Sequence, residues 1–151
     1  MRVCATNINP LELAWAAGLI DGEGWIGILR FKRMRSGYGY SGIISVGMTN
    51  VAPIHRLYEI FRCGTITTER RHKPHHKPKF NWDCRTNEVA AVLKQIYPYL
   101  CVKKEQAKYV MEFIGRKTRC SNQGIPKIEL TQREFFYNLL RGTNRKGNNY
   151  G

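Results

Sequence analysis

The sequence predicts an α+β domain with the core order α-ββ-α-ββ-α and a twisted antiparallel β saddle. Three observations carry this. Apolar residues recur at helical spacing in several segments, some with capping residues ahead of them. Between those segments lie two pairs of short alternating stretches, each pair joined by a polar, Gly- or Pro-containing loop. A chain of 151 residues has one domain's length and can bury a core. Strand pairs joined by local loops make the sheet antiparallel.

The first helix starts at Asn9-Pro10-Leu11-Glu12. Asn9 can cap, Pro10 fits the first turn, and Glu12 completes a capping box. Leu13, Ala16, Ala17 and Ile20 form its apolar stripe, and Gly22 and Gly24 end it. WIGILRFKR (25–33) and GIISVGMTN (42–50) read as strands, with a long loop between them. A helix entered at Pro53 carries Ile54, Leu57, Ile60 and Phe61 on one face. GTITTER (64–70) and KFNWDCR (79–85) form the second strand pair around the basic loop RHKPHHKPK. NEVAAVLKQI (87–96) is a helix closed by Pro98. Residues 103–117 form another, striped by Ala107, Val110, Met111 and Ile114. Thr131 and Glu134 make a second capping box before FFYNLLR. Residues 1–142 are one domain, and 143–151 are expected to be a mobile basic tail.

Charge narrows the function. The formal net charge is +14, and a folded domain this basic meets a polyanion, most often nucleic acid. Hydrophobic content of 42% excludes a disordered tail, and no apolar run reaches the length of a spanning helix, so no membrane partner is expected. The N-terminus lacks a signal-peptide pattern. The cysteines at 4, 63, 84, 101 and 120 are odd in number and without close pairs, which points to a reduced, intracellular protein.

Against this charge, residues 16–24 read AAGLIDGEG, with Asp21 and Glu23 closing the most apolar segment. The stretch resembles the signature of the LAGLIDADG homing endonucleases. The element order of residues 10–117 matches that family's core, and YPYLCVKKEQA (97–107) is similar to its stretch after the second hairpin. One copy of the motif implies the single-motif class, which acts as a homodimer on pseudo-palindromic double-stranded DNA. The helix itself agrees. Ala14, Ala16, Ala17 and Gly18 leave one face with little bulk, where a second backbone can approach. Its two-fold mate is the natural occupant, with Ala14, Ala17, Gly18 and Asp21 at the interface.

The resemblance implies a site-specific, intron-encoded type of DNA endonuclease. It would hydrolyse phosphodiesters on both strands across the minor groove and leave short 3′ overhangs. The metal-binding acid of the motif falls on Glu23 and its backbone partner on the Gly22 carbonyl. The expected cofactor is Mg²⁺, or another divalent cation such as Mn²⁺, with Ca²⁺ binding without cleavage. Hard oxygen ligands hold such ions, which activate water and relieve phosphate charge. Asp21 matches the acid that caps and packs locally. Asn50 falls where the family keeps a side chain that orients water. Lys103 matches the catalytic-site lysine, with Lys104 beside it as the neighbouring choice. The same fold also serves non-cleaving DNA-binding proteins and RNA-splicing maturases. An unrelated basic RNA-binding protein would leave AAGLIDGEG unexplained.

DNA would be read by one face of the sheet. On strand 42–50, Ile44, Val46 and Met48 alternate toward the core, leaving Ser45, Gly47 and Thr49 outward. On the second hairpin the outward set is Thr65, Thr67 and Glu69, then Asn81, Asp83 and Arg85, a mixture suited to base edges. In the first strand Ile26 and Ile28 fit the core and send Leu29 and Phe31 outward, although a bulge would swap these. Arg33, Arg35 and Tyr40 near the loop are expected to reach DNA. Arg70, Arg71, Lys73, Lys77 and Lys79 read as phosphate contacts. A rival constellation, Cys63, His72, His75, His76 and Cys84, has zinc-ligand residue types without zinc-site spacing.

Overall fold

Asn9 opens the chain's first helix as its side chain dictates. In the computed structural model its Oδ1 accepts the Leu11 N–H at 2.9 Å, with Pro10 in the first turn. The structure describes residues 3–35, 37–70, 73–117 and 126–146, the last segment with side chains through 144. Helix α1 (Pro10–Glu23) leads into β1 (Gly24–Lys32) and β2 (Tyr38–Met48). Helix α2 (Val51–Phe61) follows, then β3 (Thr65–Glu69) and β4 (Lys79–Arg85). Helix α3 (Asn87–Ile96), a 3-10 turn at Tyr97–Tyr99, α4 (Lys104–Arg116) and α5 (Lys127–Lys146) complete the order. The four strands form one antiparallel sheet, ordered β1-β2-β4-β3.

Strand parity divides the sheet. Ile26 and Ile28, Ile44 and Val46, and Trp82 and Cys84 share one face and are buried under the helices. Leu13, Ala16, Ala17 and Ile20 of α1 and Ile54, Leu57, Ile60 and Phe61 of α2 join them, as their spacing predicts. The Trp82 ring stacks on Phe61 at 5.8 Å, and its Nε1 donates to the Cys63 carbonyl at 3.0 Å, which satisfies its buried N–H. Gly64 makes this closure fit. Its φ is +85°, and a Cβ there would lie 2.5 Å from the Trp82 nitrogen.

Several boundaries differ from expectation. Gly22 and Glu23 remain inside α1, and Gly24 is its cap. β2 begins at Tyr38, because Arg33 and Gly37 close a short turn through the Arg33 N–H, 3.1 Å from the Gly37 carbonyl. α2 starts at Val51, capped by Asn50, rather than at Pro53. In α4 the buried stripe is Ala107, Val110 and Phe113, with Met111 and Ile114 partly covered. Thr131 and Glu134 do not start α5. The helix begins at Lys127, and Thr131 Oγ1 donates back to the Lys127 carbonyl at 3.0 Å. α5 also runs to Lys146, into the stretch expected as a tail, while 147–151 lie outside the described residues. Among the described residues no helix is long and apolar enough to cross a membrane.

Candidate functional site

The carbonyl end of α1 carries the motif's acids, and the fold sends them different ways. Asp21 is half-buried and faces the segment before α4. Its carboxylate accepts three backbone N–H groups, from Cys101 at 2.7 Å, Val102 at 3.2 Å and Lys103 at 2.9 Å. Lys103 then donates its ammonium to the Asp21 backbone carbonyl. One acid therefore ties α1 to the entry of α4. Its carboxylate is engaged inside the protomer, so any part it takes in a dimer contact is not through a free carboxylate.

Glu23, the last residue of α1, is exposed. Gly22 beside it is exposed too, and a Cβ there would meet nothing within 4 Å. The helix end leaves backbone carbonyls pointing at this place and favours a cation. Lys103 lies close enough for Asp21 and Glu23 to favour its charged form, yet burial outweighs them and lowers its pKa from the ordinary lysine value. Lys104 turns away and places its ammonium 5.1 Å from the centre of the Tyr97 ring. The lysine beside the acids is therefore Lys103.

The exposed face of α1 consists of Leu11, Ala14, Gly18 and Gly22, with no atom within 4 Å of a Cβ at either glycine. Ala14 and Gly18 lie where a second helix could approach. Ala17 does not. It is fully buried inside the protomer, because helical periodicity rotates it onto the side of Leu13 and Ile20.

A cleft of about 640 Å³ opens beside this end of the helix. Gly24 and Trp25 form one side, Lys103 and Gln106 another, and Arg141 and Asn144 of α5 the third. Asn144 Nδ2 donates to the Ile26 carbonyl at 3.3 Å and holds α5 along edge strand β1. Gln106, Arg141 and Asn144 carry no local motif. Gln106 is one helical turn from Lys103 in α4, while only the docking of α5 brings Arg141 and Asn144 there.

The open face of the sheet carries the other candidates. Ser45 and Gly47 of β2 face outward, and Thr49 is exposed at the strand's end. Ser45 Oγ donates to Asp83 Oδ1 at 2.5 Å, and Arg85 approaches Asp83 Oδ2 at 3.9 Å. Thr65, Thr67 and Glu69 pair across from Asp83, Asn81 and Lys79. Lys79 and Asn81 also crowd Gly47, where a Cβ would collide with both side chains. Arg33, Arg35, Arg70, Lys73 and Lys77 are exposed, while Arg71 and His72 lie outside the described residues.

Three assignments are qualified or overturned. Tyr40 does not reach outward. It is 3% exposed and packs on Tyr137 of α5 at 5.8 Å, because its parity is that of Ile44 and Val46. Asn50 is exposed, but its Oδ1 accepts the Ala52 N–H at 3.1 Å as the α2 cap, so its NH2 is the group left to offer. The zinc constellation is split. Cys63 and Cys84 are fully buried, His75 and His76 are exposed, and among the described residues no three His, Cys, Asp or Glu side chains group for a metal.

Parity also answers the open question on β1. Its pairing with β2 runs without a bulge from Gly24 to Lys32, so Leu29 and Phe31 face outward with Trp25. Arg30 lies on the helical side, 4.6 Å from the Tyr38 ring centre and 4.9 Å from that of Tyr137.

No family model matches the sequence, and a search of curated proteins finds no match. Solved structures match in fold. The homing endonuclease I-CvuI, in complex with its target in the presence of Ca, gives a TM-score of 0.74 at 22% identity, over 88% of this chain and 82% of that one. The archaeal intron-encoded homing endonuclease I-Vdi141I, complexed with DNA, gives 0.71 at 16% identity, over 88% and 84%. The I-LtrWI LAGLIDADG homing endonuclease, bound to target DNA, gives 0.64 at 16% identity, over 89% of this chain and 44% of that one. The architecture of this chain is that of the LAGLIDADG homing endonucleases.

Proposed function

We propose that the protein is a homodimeric, site-specific, metal-dependent DNA endonuclease. It hydrolyses one phosphodiester on each strand across the minor groove of a pseudo-palindromic site and leaves short 3′ overhangs. The observation that carries this reading is the end of α1, where exposed Glu23 and Gly22 continue the small exposed face of Ala14 and Gly18. A surface that lets two α1 helices meet is the same surface that brings two acids together. The solved structures of this fold named above are complexes with DNA, which supports the substrate class.

The donors fit a hard divalent cation. Glu23 and the Gly22 carbonyl offer oxygen, and among the described residues no group of three His, Cys, Asp or Glu side chains forms a closed site for a softer metal. One protomer supplies only part of a ligand set, which agrees with a site shared between two copies and the DNA. When bound, Mg²⁺ would lower the pKa of water and relieve the charge on the phosphate. The chain's own residues do the rest. Asp21 fixes α1 against the entry of α4, so Glu23 and Lys103 hold a constant separation. Lys103, partly desolvated, presents its donors beside the acid and can stabilise the pentavalent phosphate or the leaving oxygen. Asn50 has its NH2 to orient a water.

Ser45, Asn81, Asp83 and Arg85 would contact base edges, and Arg33, Arg35, Arg70, Lys73 and Lys77 phosphates. The test is incubation of the purified protein with a randomised duplex library, with and without Mg²⁺, followed by sequencing of the cut ends. Metal-dependent enrichment of paired cuts a few base pairs apart supports the reading. Intact DNA, or cuts without a sequence pattern, overturns it.

A further inference from the structure

The open face of the sheet is divided by chemistry. On the second hairpin it presents Lys79, Asn81, Asp83, Arg85, Thr67 and Glu69. Along the paired length of the first hairpin the same face carries no charged side chain, the exposed Arg33 lying just past its end. Its cross-strand pairs are Trp25 with Ser45, Gly27 with Ile43, Leu29 with Ser41 and Phe31 with Gly39. The basic residues of β1, Arg30 and Lys32, have the opposite parity. Trp25 and Phe31 are 37% and 50% exposed, which is unusual for aromatics on a sheet meant for water. Their rings are laid down rather than free. A Cβ at Gly27 would lie 2.6 Å from the Trp25 ring, and one at Gly39 would collide with the Phe31 ring. Glycines under the rings thus let them lie against the backbone and form an apolar strip.

Each base offers the major groove different groups. Guanine is read by Arg or Lys, adenine by Asn, cytosine by Asp, and thymine through its C5 methyl by apolar side chains. The second hairpin holds the first three kinds of reader, whereas β1 presents only the last along its paired length. The strip continues the polar half without a break, since β2 pairs with both β1 and β4. Resting on the endonuclease reading, we infer that Leu29 and Phe31, with Ile43 and Trp25 behind them, determine specificity by apolar contact with thymine methyl groups. The base pairs under the first hairpin are then recognised chiefly by shape and methyl position, and hydrogen-bonded guanine reading is confined to the second hairpin.

The experiment changes the DNA first, so no variant has to fold. On a site recovered from the library, each thymine is replaced singly by deoxyuridine, which removes only the methyl group, and binding is measured at constant salt. The expected result is a loss of about four-fold at one or more thymines, the worth of one buried methyl. Phe31→Ala or Leu29→Ala should abolish that contrast at its own position and leave the salt dependence unchanged. Uridine placed under Asn81 or Arg85 should respond to neither variant. Equal binding of thymine and uridine at every position overturns the inference. So does a loss of dimer in Phe31→Ala, which would make the strip a contact between protomers. A library that yields no bound or cut duplex overturns the endonuclease reading as well, whereas a recovered site without methyl contrast overturns this inference alone.

Discussion

Lys103 and Asp21 hold each other twice. The Lys103 backbone N–H donates to Asp21 Oδ1 at 2.9 Å, and the Lys103 ammonium donates to the Asp21 backbone carbonyl. The residues are far apart in sequence, and together they fix the end of α1 against the start of α4. The motif's first acid thus acts as a latch for the second.

That latch sets the first prediction. Asp21→Ala leaves three backbone N–H groups without their charged acceptor. The expected cost is about 2 kcal/mol of stability, read as a lower urea midpoint at unchanged slope. Asp21→Asn keeps one acceptor oxygen and should lose less. In both, stability should fall more than the cutting rate of the folded fraction. An unchanged midpoint in Asp21→Ala would mean the latch carries no load.

Glu23→Gln should act in the opposite sense. The side chain is exposed, so stability should stay within about 0.5 kcal/mol of wild type. An amide is a poor ligand for a hard cation, so single-turnover cleavage with Mg²⁺ should drop by at least about a hundredfold while DNA affinity holds. A normal cutting rate would remove Glu23 from the metal site.

Gly18→Leu separates the protomer from the dimer. A Cβ at 18 meets nothing within 4 Å, and Leu is the better helix former by about 0.5–1 kcal/mol. The isolated protomer should therefore become slightly more stable, while the dimer and double-strand cleavage are lost together. Light scattering, free and on DNA, reads the first effect, and nicked against linear plasmid the second. A wild-type protein that is monomeric in both states would defeat the idea.

The basic loop and the sheet should differ in salt dependence. Lys77→Ala should weaken all duplexes about equally and lower the slope of log affinity against log salt by about one per protomer bound. Asn81→Ala should change base preference at one position by about 1–3 kcal/mol and leave the slope. Reversed behaviour would mean that the wrong surface of the second hairpin has been put on DNA.

The elements, their order and most of the core were legible in the residue pattern alone. Period and parity are local properties, and Leu13, Ile20, Leu57, Val46 and Trp82 are buried where their spacing put them. Through the family resemblance the sequence also marked Glu23 and Lys103, which the fold brings to the same end of α1. Register and docking are not local, and there the tertiary structure decided. The unbulged pairing of β1 with β2 sent Leu29 and Phe31 outward and Tyr40 in under Tyr137. Helical rotation put Ala17 in the core and left Gly18 exposed, although the two are adjacent small residues. Asp21 found its partners on a segment about 80 residues away, and Arg141 joined Lys103 only because α5 lies along β1. A residue's spacing tells which side of its own element it occupies. What lies on that side is set by the packing of elements distant in the chain.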